Sequence, residues 1–62
     1  MRKLSEQEIE VLESYIERGE ALCLSESYSL HMYSSIWLVD CVKYSLTEAI
    51  GVEGSIEVFE IE

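Results

Sequence analysis

A small α+β domain is the fold that this sequence predicts, in the order α-β-α-β, with two amphipathic helices on a small sheet completed by dimerisation. Three patterns carry the prediction. Residues 5–18 hold a capped apolar repeat of helical period. Residues 21–33 and 55–61 alternate with period two. Residues 36–50 place their apolar side chains on one side at about 100° per residue.

The first helix has a clear start. Ser5 and Glu8 stand at capping-box spacing: the hydroxyl accepts from the amide at Glu8, and the Glu8 carboxylate reaches back to the amide at Ser5. Leu4 before the cap and Ile9 after it are placed as a hydrophobic staple. Glu6 and Glu8 suit the positive end of the helix dipole and Arg18 the negative end. Gly19 fits the left-handed residue that closes a helix. Ile9, Leu12 and Ile16, widened by Val11 and Tyr15, form the buried face.

A strand over 21–33 follows. Leu22, Leu24, Tyr28, Leu30 and Met32 fall on even positions, and Cys23, Ser25, Ser27, Ser29 and His31 on odd ones. Glu26 interrupts the apolar side, which places a bulge or tight bend near 25–27. The third element is read as a helix. Leu38, Val39, Val42, Leu46, Ala49 and Ile50 share one side, while Asp40, Lys43 and Thr47 lie opposite. Ser34 or Ser35 caps its start and Gly51 ends it. Residues 51–54 are a turn. A last strand over 55–61 carries Ile56 and Val58 on one face and Phe59 and Ile61 on the other, so both faces call for cover.

The whole chain, 1–62, is one domain. With 62 residues, 48% of them hydrophobic, there is more apolar surface than so small a core absorbs. Two strands also make a poor sheet alone. Both points favour a homodimer that hides apolar surface and a sheet edge.

Thirteen acids stand against four bases, a net charge of −9. Direct binding to nucleic acid or to an anionic membrane is therefore disfavoured, since both need cationic side chains. The natural complement is a basic protein surface, such as that of a nucleic-acid-binding protein. Met1-Arg2-Lys3 leads straight into polar residues with no apolar segment of a secretory leader, and no run is long enough to span a membrane. The expected place is the cytoplasm, that of the host if the protein is viral. Cys23 and Cys41 are then reduced and read as small buried hydrophobes.

No enzyme is expected. His31 beside Ser27 and Ser29 can be drawn as a nucleophile pair, but these residues fall on one exposed strand face. No phosphate-cradling glycine loop or nucleophile elbow occurs. Cys23, Cys41 and His31 lack the spacing and number of a zinc site, and no cofactor is expected.

The sharper pattern is acidic. Glu6, Glu10, Glu13, Glu17 and Glu20 follow at spacings of 4, 3, 4 and 3. On a helix they fall within about 80° of arc along roughly 21 Å of axis. Like charges so placed repel, at a local cost of a few tenths of a kcal/mol per pair. Such a line resembles a row of phosphates, so it is a candidate surface for occupying a basic groove, in the manner of a nucleic-acid mimic; an ordinary solvated helix face is the plainer alternative. Trp37 and Tyr44, seven apart with Cys41 between them, share a flank of the third element. They are of the types that anchor interfaces, or else they close the core's edge.

Glu26-Ser27, on a strand after a helix, resembles the acidic inhibitors of uracil-DNA glycosylase made by phages, over about a dozen residues (19–30). The second half, read as a helix, departs from that family's multi-stranded sheet, and no residue roles carry over. The functional expectation is a small acidic inhibitor or antagonist, of phage anti-host or anti-defence type, whose acidic face blocks a basic surface. Two alternatives stand beside it. One is an accessory or assembly subunit that uses an aromatic-apolar interface. The other is an oligomeric small-molecule binder.

Overall fold

Six elements follow one another: β1 (Arg2–Lys3), α1 (Glu6–Glu17), β2 (Leu22–Tyr28), β3 (Met32–Val39), β4 (Val42–Ala49) and β5 (Glu57–Ile61). The computed structural model describes residues 1–61. All five strands form one antiparallel sheet in the order β1-β5-β4-β3-β2. The helix packs across one face of it, so the architecture is sheet-dominated α+β with a single helix.

The expectation of two helices on a small sheet is therefore overturned, and the difference lies in residues 36–50. They form most of a hairpin in which Val39 pairs with Val42, Trp37 with Tyr44 and Ile36 with Ser45. Its turn is Asp40-Cys41, both at positive φ, 48° and 66°. Two consecutive left-handed residues are what a tight hairpin turn demands, because that backbone twist matches the strands. Aspartate tolerates the conformation, and Ile36, Trp37, Val39, Val42, Tyr44 and Thr47 are strand formers. The helical spacing of the apolar residues was a coincidence of two period-two patterns in series. Ser34 and Ser35 cap nothing: both are strand residues, and Ser35 is 2% exposed and receives a hydrogen bond from Trp37 Nε1 at 2.8 Å. Gly51 ends no helix and sits in the β4–β5 loop at φ 83°.

The first helix agrees with its signals except at Val11, expected on the buried face but 56% exposed. Ser5 is the N-cap, and both halves of the capping box form: Glu8 N donates to Ser5 Oγ at 3.3 Å and Ser5 N to Glu8 Oε1 at 3.0 Å. Gly19 follows the C-cap Arg18 at φ 75°. Leu12 faces the sheet and is 3% exposed. The single strand expected over 21–33 is instead β2, a turn through 29–31, and the start of β3. The anticipated irregularity occurs as a register shift between Cys23 and Ser25, slightly before the position expected. It reverses which face each later β2 residue occupies.

Alternation and register assign the two faces of the sheet. Tyr33, Ser35, Trp37 and Val39 of β3 pair with Glu48, Leu46, Tyr44 and Val42; Leu46 in turn pairs with Val58. Leu4, Leu12, Val39, Leu46 and Val58 are the core, with Ile9, Tyr15, Ile16, Ala21, Trp37, Tyr44 and Ile56 packed around it. Two-residue β1 fixes the chain start: Leu4 N donates to Val58 O at 2.8 Å, which draws Leu4 into that core. Among the described residues, no helix covers the opposite face.

Candidate functional site

Glu6, Glu10, Glu13 and Glu17 all lie on α1 and are all exposed. At about 100° per residue they span about 60° of arc and about 17 Å of axis. Glu20 does not continue the row. It lies beyond Gly19, where Arg18 Nε donates to its carboxylate. The row therefore has four members and not five.

It lies on one flank of the helix. Below it, a shallow groove is lined by Glu13, Ile16, Glu17, Tyr33, Trp37, Leu46, Glu48 and Ile56. A second depression continues the same side, lined by Glu6, Ile9, Glu10, Glu13, Gly54 and Ile56. No lining residue of either is basic. Glu48 and Tyr33 join the site from the sheet. Sequence reasoning missed both because it put Glu48 on a helix; the hairpin pairs Tyr33 with Glu48 and brings them under the row.

The opposite flank is built differently. Arg2, Leu4, Glu8, Val11, Leu12, Tyr15, Val39 and Tyr44 line a groove there. The three ion pairs among the described residues all use arginine: Arg2 with Glu8 at 2.9 Å, Arg2 with Glu60 at 3.3 Å, and Arg18 with Glu20. Arg18 also stacks on Tyr15, its guanidinium carbon 4.8 Å from the ring centre. The hydrogen bond from the Ser5 amide, then Arg2, hold the Glu8 carboxyl below its ordinary range. None of these pairs involves Glu6, Glu10, Glu13, Glu17 or Glu48; Arg18 comes nearest the row at Glu10, where the two residues line one shallow depression.

Trp37 and Tyr44 are cross-strand neighbours and not residues on one helix flank. Both are half-buried against the core. They part company beneath the helix: Trp37 lines the acidic groove and Tyr44 the arginine-bearing one. Burial holds the Tyr44 hydroxyl above its ordinary pKa. Of the two expected anchors, only Trp37 adjoins the acidic row.

A smaller cluster sits on β2. The bulge brings Glu26 and Tyr28 to the helix side beside Cys23, where the Tyr28 hydroxyl donates to Glu26 Oε1 at 3.1 Å. The Cys23 thiol contacts Glu26 Oε2 at 3.7 Å, and its pKa is raised by burial first and then by that carboxylate. Tyr28 is raised as well, chiefly by its bond to Glu26. Tyr28 and Tyr33 rings lie 4.8 Å apart. Both cysteines are free thiols, but the expectation that both are buried fails: Cys23 is half-buried and Cys41, in the hairpin turn, is exposed. His31 lies in the β2–β3 turn, where its carbonyl accepts from Ile50 N at 2.9 Å. Ser29 Oγ is engaged with Met32 and not with His31.

Among the described residues no three His, Cys, Asp or Glu side chains are gathered as metal ligands. No helix there is long and apolar enough to cross a membrane. No family model matches the chain, and neither does any curated protein or solved structure.

Proposed function

We propose that this protein is a non-enzymatic protein-binding module of the cytoplasm, an inhibitor or antagonist whose acidic helix flank occupies a basic surface of a target. The observation that supports the reading is the one-sided row Glu6, Glu10, Glu13 and Glu17, extended by Glu48 and free of any described ion pair, above a groove containing Tyr33 and Trp37. Four carboxylates on one arc repel one another and weaken the isolated helix. A basic partner offsets that repulsion, and the aromatic floor gives a lysine or arginine side chain a face to stack on. A nucleic-acid-binding protein fits best, because its groove is already shaped for a line of negative charge.

The test is affinity capture from the source cell with the wild-type chain and with a variant carrying Glu10→Gln, Glu13→Gln and Glu17→Gln. Kinetics on the captured protein then follow at two salt concentrations. The wild type binds a basic protein with a fast association rate that falls as salt rises. The triple variant keeps its fold, associates more slowly and loses most of the salt slope. Unchanged rates and slope in the variant overturn the acidic-flank reading.

A further inference from the structure

The sheet face turned away from α1 has its own chemistry. Register places Leu22, Leu38, Lys43 and Ile61 in one row across it, and Ser25, Ile36, Ser45, Phe59 and Lys3 in the next. A third row holds Ser27, Ser34, Thr47 and Glu57. The chain's only two lysines are thus both on this face, and Glu57 is the one acid that register places there among the described residues. Leu22 is 60% exposed and Met32 43%, while Ile36, Leu38, Phe59 and Ile61 are mostly covered by their neighbours but each keeps part of its surface in water. An antiparallel sheet often keeps one face in water when that face is polar; here exposed Leu22 and Met32, beside the partly exposed Ile36, Leu38, Phe59 and Ile61, add an apolar strip to it, and such strips mark contact surfaces.

We propose that this face binds a second copy of the same chain, forming a two-fold sheet-on-sheet dimer with the helices outermost. Charge selects the face through which two copies meet. Each copy carries −9, so contact through the helix side sets carboxylates against carboxylates. The bare face, with two lysines and one glutamate, is where two copies approach without that penalty. Shape agrees with charge. A two-fold axis parallel to the strands and between β3 and β4 lays β5 of one copy over β2 of the other. Phe59 then opposes Ser25, Ile36 opposes Ser45 and Ile61 opposes Leu22, so large side chains meet small or apolar ones. Lys43 lies over Leu38 with its aliphatic stem, its amine free to reach the rim.

The area is modest. Four strands at about 4.8 Å spacing and about 24 Å of length give roughly 450 Å² per copy, about 900 Å² for two. That falls in the range of weak, reversible interfaces, below about 1,200 Å². The dimer leaves α1 exposed, so it presents two acidic flanks at once. It stands independently of the proposed function, and salt separates the two. Salt weakens binding of a basic partner but strengthens a dimer of like-charged copies.

Sedimentation equilibrium of the full chain tests it, up to about 0.5 mM protein at low and high salt. The wild type is expected to shift from 7.1 kDa toward twice that mass as concentration rises, with a lower dissociation constant at high salt. Ile36→Lys and, separately, Phe59→Thr are expected to raise that constant by about tenfold or more. Unchanged circular dichroism identifies each variant as folded. Glu13→Gln is expected to leave dimerisation unchanged or slightly stronger. A wild type that remains at 7.1 kDa at the highest concentration overturns the proposal. So does a dimer that survives both folded variants, which would place the contact at the β2 edge or on the helix side.

Discussion

On the helix side of the sheet, Ser35, Val39, Leu46 and Val58 are at most 7% exposed. On the other side, Ile36, Leu38, Phe59 and Ile61 are as apolar by sequence yet each stays partly exposed. The two sets come from the same strands, one residue out of phase. What separates them is a single 12-residue helix, which is long enough to roof one face and not two. The helix side also gathers most of the carboxylates, and the open side both lysines. One face is thus covered within the chain, and the other, where serine, threonine and lysine stand among the apolar residues, stays open.

The strongest way to break this comparison is to truncate under the helix. Leu12→Ala removes a side chain that is 3% exposed and is expected to cost about 2–5 kcal/mol. A domain of this size has only about 3–9 kcal/mol in total. The variant should be largely unfolded at room temperature or melt far below the wild type in a thermal circular dichroism scan. Phe59→Thr, measured at a dilution where the chain is monomeric, should cost about 1–2 kcal/mol, less than Leu12→Ala, because part of its ring is in water and threonine suits a strand. Equal losses at the two sites would mean that both faces are equally buried in solution.

A polar change sharpens the same contrast at intermediate size. Ser35 is buried only because its hydroxyl accepts from Trp37 Nε1 at 2.8 Å. Ser35→Ala leaves that indole without its partner under the helix and should lower stability by about 1 kcal/mol. Ser45→Ala, on the open face beside Ile36 and Phe59, has no comparable bond among the described residues and should be nearly neutral. Urea denaturation of the pair checks the difference.

Much of the helix side was legible from the residues. Ser5, Glu8 and Gly19 announce α1, and the period of Ile9, Leu12 and Ile16 gives its buried face. The alternation of Ile56, Val58, Phe59 and Ile61 predicted a strand needing cover on both sides, and that demand is what the open face still expresses. The β3–β4 hairpin was not legible, because two strands joined by a two-residue turn placed Leu38, Val42, Leu46 and Ala49 at spacings that also fit a helix. No Asn-Gly or Asp-Gly marks the turn: Asp40 is followed by Cys41, which takes the left-handed position usually given to glycine. The two-residue β1 is too short to have a period at all. The row of glutamates was legible in four of its members. Its continuation through Glu48 and Tyr33 required the hairpin, and so did the separation of Trp37 from Tyr44.

The smallest expected effect concerns the two flanks of the helix under acid. Glu8 is the one α1 carboxylate among the described residues that is both hydrogen-bonded to backbone and paired with an arginine. Its pKa is lowered from 4.5, first by the Ser5 amide and then by Arg2. A carboxyl lowered on folding adds stability that is present above its unfolded pKa and is lost as the pH falls through the folded one. The wild type should therefore lose melting temperature as the pH falls below about 4.5. Glu8→Ala should lower the neutral-pH melting temperature and flatten that acid limb, since it removes both the bond from the Ser5 amide and the pair with Arg2. Glu13→Gln on the other flank breaks no described ion pair or backbone bond and should leave the neutral-pH melting temperature nearly unchanged. If Glu8→Ala keeps the wild-type melting temperature and acid limb, the bonds from Ser5 and Arg2 add nothing to folding, and the flanks differ in composition but not in energy.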